Sequence, residues 1–350
     1  MPTSNILIPV CEGGSWGYVD RNARMVIAPS FTAAGPFRGG LACVNRGGQV
    51  GRPGEVTGGK WGYIDASGAY AFSAQFDGAG DFSEGLAAVN LGSRVKYAAH
   101  DDFYYSEGGK WGFIDQSGAF VLPPRFQFAH HFREGIASVC ESGRYGFIRA
   151  NGEWAVGANY ENASPFHDGL AAVKVGDRYG YIDLAGELRI APRFELAYDF
   201  HNGLAAGHTP DPYLWIFFDA EGNERFTAPD GTAHVGHFSD GLIMANLCKL
   251  ERYSDGRIYP HGLRRGLGYL NDRGEWAIPP QFTWGGSFQE GLAWVKRDEG
   301  PCGFIRPDGS FLPTPDLEDA NSFDGGLATV RIDGKFALLN LEGKVFWSEQ

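Results

Sequence analysis

The sequence predicts an all-β protein, a single tandem array of about nine antiparallel units with three short strands each, spanning residues 1–350. Three observations carry that prediction. An aromatic-Gly-aromatic-aliphatic block returns along the whole chain, and a Phe-x-x-Gly-Leu block returns in step with it. The composition agrees: 52 Gly, 26 Phe, 15 Tyr and 9 Trp against 3 Met suit short strands and tight turns better than helices. No segment keeps an apolar period of about 3.6 over roughly ten residues, so helix is expected to be nearly absent.

The first block stands at Trp16-Gly17-Tyr18-Val19, Trp61-Gly62-Tyr63-Ile64, Trp111-Gly112-Phe113-Ile114, Tyr145-Gly146-Phe147-Ile148 and Tyr179-Gly180-Tyr181-Ile182. It decays through Trp215-Ile216-Phe217-Phe218, Leu267-Gly268-Tyr269-Leu270 and Cys302-Gly303-Phe304-Ile305 to Phe336-Ala337-Leu338-Leu339. Consecutive blocks start about 34 residues apart, with three longer intervals, and such a period marks a repeat architecture. The second block begins at Phe37, Phe82, Phe132, Phe166, Phe200, Phe238, Phe288 and Phe323, and its Gly-Leu end opens a strand such as Leu86 to Val89. Between the blocks runs a Pro-ended apolar stretch, Val26 to Pro29 or Val121 to Pro124, followed by an aromatic such as Phe31, Phe76 or Phe126.

Each strand of the unit has its own justification. The first two are joined by Gly-containing hairpins such as Val175 to Arg178. The second and third are joined by Asp-x-x-Gly, as in Asp65 to Gly68, where Asp closes an Asx-turn and Gly accepts a left-handed conformation. Within Trp-Gly-Tyr-Ile the period of two sets the aromatics on one face and Gly with Ile on the other. The Gly is expected to leave room for a neighbouring ring across the bare backbone. The Pro residues are expected to close the third strand, because Pro donates nothing to a ladder.

With those motifs in hand, the chain resembles the bacterial WG (KWG) repeat proteins. Lys60 to Val89 (KWGYIDASGAYAFSAQFDGAGDFSEGLAAV) and Lys110 to Val139 carry the resemblance most closely, and it extends over roughly residues 5–347. The units of Trp215, Cys302 and Phe336 depart from the pattern, so altered pairing is expected there. The resemblance implies an interaction module, similar in some members to immunity proteins that neutralise secreted bacterial toxins. Units that cannot bury both faces alone must stack on their neighbours. An open superhelix or solenoid is the expected arrangement, with propeller-like closure as its alternative.

Lys+Arg 30 against Asp+Glu 42 gives a net charge of −12, which argues against a general nucleic-acid or anionic-membrane binder and suits a basic protein partner. No stretch approaches the roughly 18 apolar residues of a membrane span, and MPTSNILIPVCEGG has no basic n-region. The 5 Cys are widely spaced, without C-x-x-C, and read as core filling in a reducing compartment. A soluble, cytoplasmic protein, monomeric on its own, is the expectation.

No nucleophile elbow, zinc-protease helix, phosphate loop or dinucleotide fingerprint is present, so no catalytic residue and no cofactor is assigned and the protein is read as a non-enzyme. His130, His131, His167, His201 and His237 fall in one connection of four consecutive units. They could converge as metal ligands, but their offsets differ, and they are read as turn residues with no metal assigned. The acid before Gly-Leu (Glu84, Glu134, Asp168, Asp240, Glu290) is likewise read as a turn residue rather than half of a hydrolytic pair.

The three long intervals point to function. Their insertions, roughly 45–60, 90–110 and 247–266, all fall between the first strand and the Trp-Gly strand, and equivalent loops of a repeat array form a binding face. They carry Tyr97, Phe103, Tyr104 and Tyr105 in the second, and Arg252, Tyr253, Arg257, Tyr259, Arg264 and Arg265 in the third. Tyr and Arg are enriched at interface hot spots. The expected function is occlusion of one protein partner, a cognate toxin. The rivals are a carbohydrate- or cell-wall-binding module using the loop aromatics, and an enzyme with a site on the repeat edge.

Overall fold

The structure, a computed structural model, describes residues 7–50, 56–98, 103–210, 212–252, 258–298 and 300–349, among which there are strands, bridges and turns and no helix. Nine small antiparallel sheets follow one another along the chain. Each typical repeat supplies four strands where three were expected. The extra strand is only two residues long (Ala33–Ala34, Gly78–Ala79, Phe128–Ala129) and begins one residue after the preceding sheet ends. It pairs with the Gly-Leu strand, as in Ala33↔Asn45 and Ala34↔Val44.

That one-residue link swings the chain from the last edge of one sheet to the first edge of the next. No ladder joins one sheet to another among the described residues. The open superhelix or solenoid that the sequence led us to expect is the wrong arrangement. The sheets are blades, nine of them, and the fold is of the β-propeller class that stood as the alternative.

The chain divides into two compact units, residues 1–166 and 167–349. In both, the period of two buries both faces of the Trp-Gly strand, because consecutive sheets pack face to face. In the first unit, Tyr63 packs with Phe76 and Phe82 against Ala87, Val89 and Ile114 of the following sheet. Ile64, on the opposite face, packs into the cluster of Tyr18 and Phe31 in the preceding sheet. In the second unit, Tyr269 with Phe282 and Phe288 meets Ala293, Val295 and Ile305, and Phe304 in turn meets Ala328, Val330 and Leu339. In most repeats the Phe of the Phe-x-x-Gly-Leu block sets its ring edge-on to that second aromatic, as in Tyr63–Phe82 at 5.0 Å, Phe113–Phe132 at 4.8 Å and Tyr269–Phe288 at 4.9 Å between centroids.

The glycine between the aromatics makes room chiefly for backbone rather than for a ring. A Cβ on Gly62 would lie 2.7 Å from the Ala74 Cα and 2.8 Å from the Ala74 nitrogen, and one on Gly112 would lie 2.5 Å from the Leu122 oxygen. The cause is a wide bulge in the last strand: Trp111 pairs with Phe126 but Phe113 with Leu122, so Pro123, Pro124 and Arg125 bow out over Gly112. The prolines therefore do not end the strand. They occupy its bulge, where a missing N–H costs no ladder bond, and the strand resumes at Phe126. Where Ile216 or Ala337 replaces the Gly, that wide shift is gone: Ile216 pairs with Thr227 and Phe217 with Phe226, residue for residue. The Cys302 unit keeps Gly303 but has only three strands, and the Phe311 ring covers the glycine instead.

The Asp-x-x-Gly turn forms as the sequence predicts. Asp65 Oδ1 accepts from the Ser67 N–H at 2.8 Å, and Gly68 stands at φ 83°. The acid before Gly-Leu also adopts the left-handed region, with φ 51° at Glu84 and 55° at Glu290. Its carboxylate then reaches the equivalent turn of a neighbouring sheet. Glu84 accepts from the Gly135 N–H at 3.0 Å, and Glu290 accepts from Gly325 and Gly326 at 2.9 and 2.8 Å.

Candidate functional site

The three insertions are not draped loops but extended hairpins. Ala42–Val50 pairs with Val56–Ile64, Leu86–Ala98 with Phe103–Asp115, and Leu242–Arg252 with Ile258–Leu270. The shorter counterparts, such as Leu170–Val175 with Arg178–Asp183, turn back at once.

Each long hairpin starts at a buried asparagine, Asn45, Asn90 or Asn246. The first shows the design. Asn45 Nδ2 donates to the Gly58 carbonyl at 3.1 Å, and Asn45 Oδ1 accepts from the Gly48 N–H at 3.1 Å. Gly58 and Gly59 facing it stand at φ 70° and 64°, and Gly108 and Gly109 repeat that conformation opposite Asn90. A side chain on Gly59 would sit 2.7 Å from Asn45 Oδ1, and one on Gly109 would sit 2.2 Å from Asn90 Oδ1. Asn plus Gly-Gly therefore builds a left-handed step in the ladder from which the hairpin projects. Sequence reasoning missed this, although the signal is plain: Asn ends the strand in the three long units and in none of the others.

In the first unit two of these hairpins stand side by side. The Asp77 carboxylate pairs with Lys60 of the first and accepts from the Gly92 N–H of the second at 2.6 Å. Farther out, a Cβ on Gly58 would come within 3.2 Å of Val95 Cγ2. Val50 is 61% exposed and Val95 44%, so the pair presents apolar groups to solvent.

Of the residues predicted to bind a partner, Tyr97 and Tyr104 face each other in the ladder of the second hairpin, with Phe103 opposite Ala98 and Tyr105 opposite Lys96. In the ladder of the third hairpin Arg252 pairs with Ile258 and Tyr259 with Glu251, Arg264 and Arg265 lie on its returning strand, and Tyr253 and Arg257 lie outside the described residues.

Beside the first hairpin lies a cavity of about 410 Å³ walled by Trp16, Trp61, Val50 and Val56, with Cys43 and Asp81 in its lining. The Cys43 thiol donates to Asp81 Oδ1 at 3.1 Å. Burial pushes the thiol pKa well up and the Asp81 charge adds to that, so Cys43 stays a protonated donor. Asp81 also borders a second cavity of about 630 Å³, where Trp111, His130 and His131 stand. Sequence reasoning singled out neither Asp81 nor the partly exposed Trp16 and Trp61.

The second unit brings together histidines that the sequence left apart. The His201 ring stacks on His167 at 5.0 Å and on His237 at 4.4 Å between centroids. The differing offsets compensate: His167 and His201 follow their block Phe, whereas His237 precedes Phe238 within the strand Thr232–Ser239. Tyr198 Oη lies 3.0 Å from His234 Nε2, and His167 Nε2 lies 3.5 Å from Asp199 Oδ2. Desolvation lowers the His237 pKa, His201 and His234 lower it further, and Asp199 opposes them. Among the described residues no group of three or more His, Cys, Asp or Glu side chains has the geometry to hold a metal ion.

The family described as "WG containing repeat" matches residues 16–49, 61–94, 111–145, 145–179, 179–206, 268–299 and 303–336. No curated protein matches the chain. Among solved structures the chain is similar to that of "the eukaryotic initiation factor", at 12% identity and a TM-score of 0.60, over 99% of this chain and 96% of that one. It is also similar to BamB from Moraxella catarrhalis, at 12% identity and a TM-score of 0.42, over 97% and 98%. At such identity the first likeness is one of fold alone.

Proposed function

For this chain, which belongs to the WG-containing repeat family, we propose a binding function: a module that engages one protein partner through its extended hairpins. The observation that supports this reading is the paired platform of the first unit, where Asp77 ties two hairpins together and both rise from asparagine-glycine steps. A projecting hairpin founded on a rigid sheet loses little entropy on docking, and the side chains that it carries can anchor a partner. The third hairpin adds the basic positions Arg252, Arg264 and Arg265.

The partner class proposed is a bacterial toxin, with this chain acting in the cytoplasm, as a monomer, as its immunity protein. The action is occlusion: hairpins cover the partner's working surface while the net charge of −12 matches a basic rim. No catalytic step is asked of this chain.

The test trims residues 92–106 and, separately, 249–263 to short Gly-containing turns. Circular dichroism checks that each product stays folded, which loop shortening alone should allow. Affinity is then measured for the partner that co-purifies from the native host, together with the partner's own activity at equimolar ratio. Expected are folded proteins with partner binding weakened at least about thirtyfold, the loss of one hot-spot anchor. If both folded variants bind within twofold of the parent, the hairpins are not the interface. If the parent binds but leaves the partner fully active, the toxin-neutralising role falls.

A further inference from the structure

On the protein-binding reading above, we propose that the cavity beside the first extended hairpin receives a cationic side chain, guanidinium or ammonium, presented by the partner. Of the residues lining that 410 Å³ space, Asp81 alone carries a charge. Its hydrogen-bond partner on this side is the Cys43 thiol, a neutral and weak donor, so no cation within this cavity meets its charge. A cation entering the cavity would meet that charge among partly apolar walls, where the attraction is stronger than in water.

The residue before the block Phe varies among the units: Pro36, Pro165, Ser287 and Ser322, His131 and His237, and a second acid at Asp199. The repeat therefore does not require a carboxylate there, and Asp199, unlike Asp81, has an imidazole beside it, His167 Nε2 at 3.5 Å. The backbone also makes way for it, since a Cβ on Gly35 would stand 2.7 Å from both Asp81 Oδ1 and Cys43 Sγ. The same cavity is lined by Trp16 and Trp61 and by the aliphatic Val50 and Val56. Indole is the best aromatic surface for a cation, and an apolar wall suits the methylene stem of Lys or Arg. A carboxylate lining the same cavity as aromatic and aliphatic groups thus suits a long side chain with a positive tip. A guanidinium would add a planar face and a bidentate fork.

The probes are N-acetyl-arginine methylamide and N-acetyl-lysine methylamide, with the citrulline derivative as a neutral isostere. The protein is labelled with 5-fluorotryptophan, and the Trp16 and Trp61 fluorine resonances are assigned through Trp16→Phe and Trp61→Phe. At least one cationic probe should shift both resonances saturably, and the stronger of the two identifies the preferred tip. Citrulline should bind at least about tenfold more weakly, and Asp81→Asn should weaken the cation to a similar degree, as loss of a charge-assisted bond implies. Gly35→Ala, which crowds the carboxylate, serves as the second variant should Asp81→Asn fail to fold. Equal shifts with citrulline, unchanged binding in the folded variant, or no shift of either resonance up to the probe's solubility would each overturn the proposal. Failure here is separable from failure of the hairpin interface. Trimming can abolish partner binding while Asp81→Asn leaves it intact, and the Asp81-dependent probe signal can persist where trimming leaves the partner bound.

Discussion

Replacing Gly62 with alanine should destabilise the first unit by about 1–3 kcal/mol, the usual cost of forcing a methyl group into packed space. The magnitude follows from what the methyl would meet. At 2.7 and 2.8 Å it strikes the Ala74 Cα and nitrogen, and at 3.0 Å the Tyr70 ring. Backbone in a bulge held on both sides by paired aromatics, Trp61↔Phe76 and Tyr63↔Phe72, cannot rotate away as a side chain can. Gly157→Ala in the same unit is the matched control, because only Asn159 Nδ2 lies near, at 3.4 Å. That change should be neutral or stabilise by up to about 1 kcal/mol, through the lower entropy of the unfolded chain. Gly303→Ala in the second unit should fall between, since it meets only the Phe311 ring at 3.2 Å, and that ring is 43% exposed and free to swing out. Urea titrations followed by circular dichroism and tryptophan fluorescence give the midpoints, each unit's transition being compared with the parent's. The bulge explanation is refuted if Gly62→Ala unfolds at the same midpoint as Gly157→Ala.

Two further outcomes are expected. Glu290→Ala should lower the urea midpoint of the second unit by the equivalent of about 1 kcal/mol, the value of charge-assisted bonds discounted for solvent exposure, and Glu290→Gly should lose less because it relieves the left-handed φ of 55°. A midpoint unchanged in Glu290→Ala would mean that the tie to Gly325 and Gly326 contributes nothing. For pH, burial holds the His208 pKa, and desolvation the His237 pKa, below the ordinary imidazole value, so the unfolded chain takes up protons first as the pH falls. Their contribution is full above about pH 6.5 and is lost as the pH drops through the folded values. Stability of the second unit should therefore decline from pH 6.5 to 5, with a shallower decline in His208→Gln and His237→Gln, and equal slopes in variants and parent would show that other groups govern it.

Much of this fold was legible because its signals are local. Asp65 to Gly68 reads as a turn in any context, and the Tyr63/Ile64 alternation reads as strand wherever it falls. The two-residue strands escaped notice since Ala33–Ala34 has no period to read and is defined only by its partners Asn45 and Val44. The open superhelix was expected because the units must stack on their neighbours, and stacking serves an open array and a closed ring equally. The glycine of Trp-Gly-Tyr was recognised as a packing position but assigned the wrong neighbour. Its neighbour, the bulge at Pro123 and Pro124, lies ten residues or more along the chain, in register only after folding. The long hairpins read as loops because the residues that extend them, such as Arg46, Gly47 and Gly48 or Ser93, Arg94 and Val95, carry no alternation of apolar and polar side chains. The histidine stack was hidden by a compensating offset, visible only once Phe238 is seen near the end of a longer strand.

The repeat itself supplies the means of separating fold from function. The acid before Gly-Leu looks catalytic as a list of five carboxylates, yet Glu84 and Glu290 spend their oxygens on backbone N–H groups of a neighbouring turn. Such an acid is oriented for a structural bond, and its recurrence follows from the recurrence of that bond. The same holds for the glycine under the bulge and the Asp of the turn. Positions that every copy shares are thus accounted for by what every copy must do, which is to close a sheet and stack on the next. Chemistry particular to this protein must then lie where a copy departs from its siblings at a place the fold leaves free. Asp81 stands at a position that the copies fill differently, with Pro, Ser, His or, once more, an acid at Asp199, and Asn45, Asn90 and Asn246 stand where the others turn back. His237 meets His201 from the opposite side of its block Phe. Of these departures, Asp81 and the two asparagines of the first unit concern a single platform, so partner binding is sought first on the side of the sheets from which the hairpins rise.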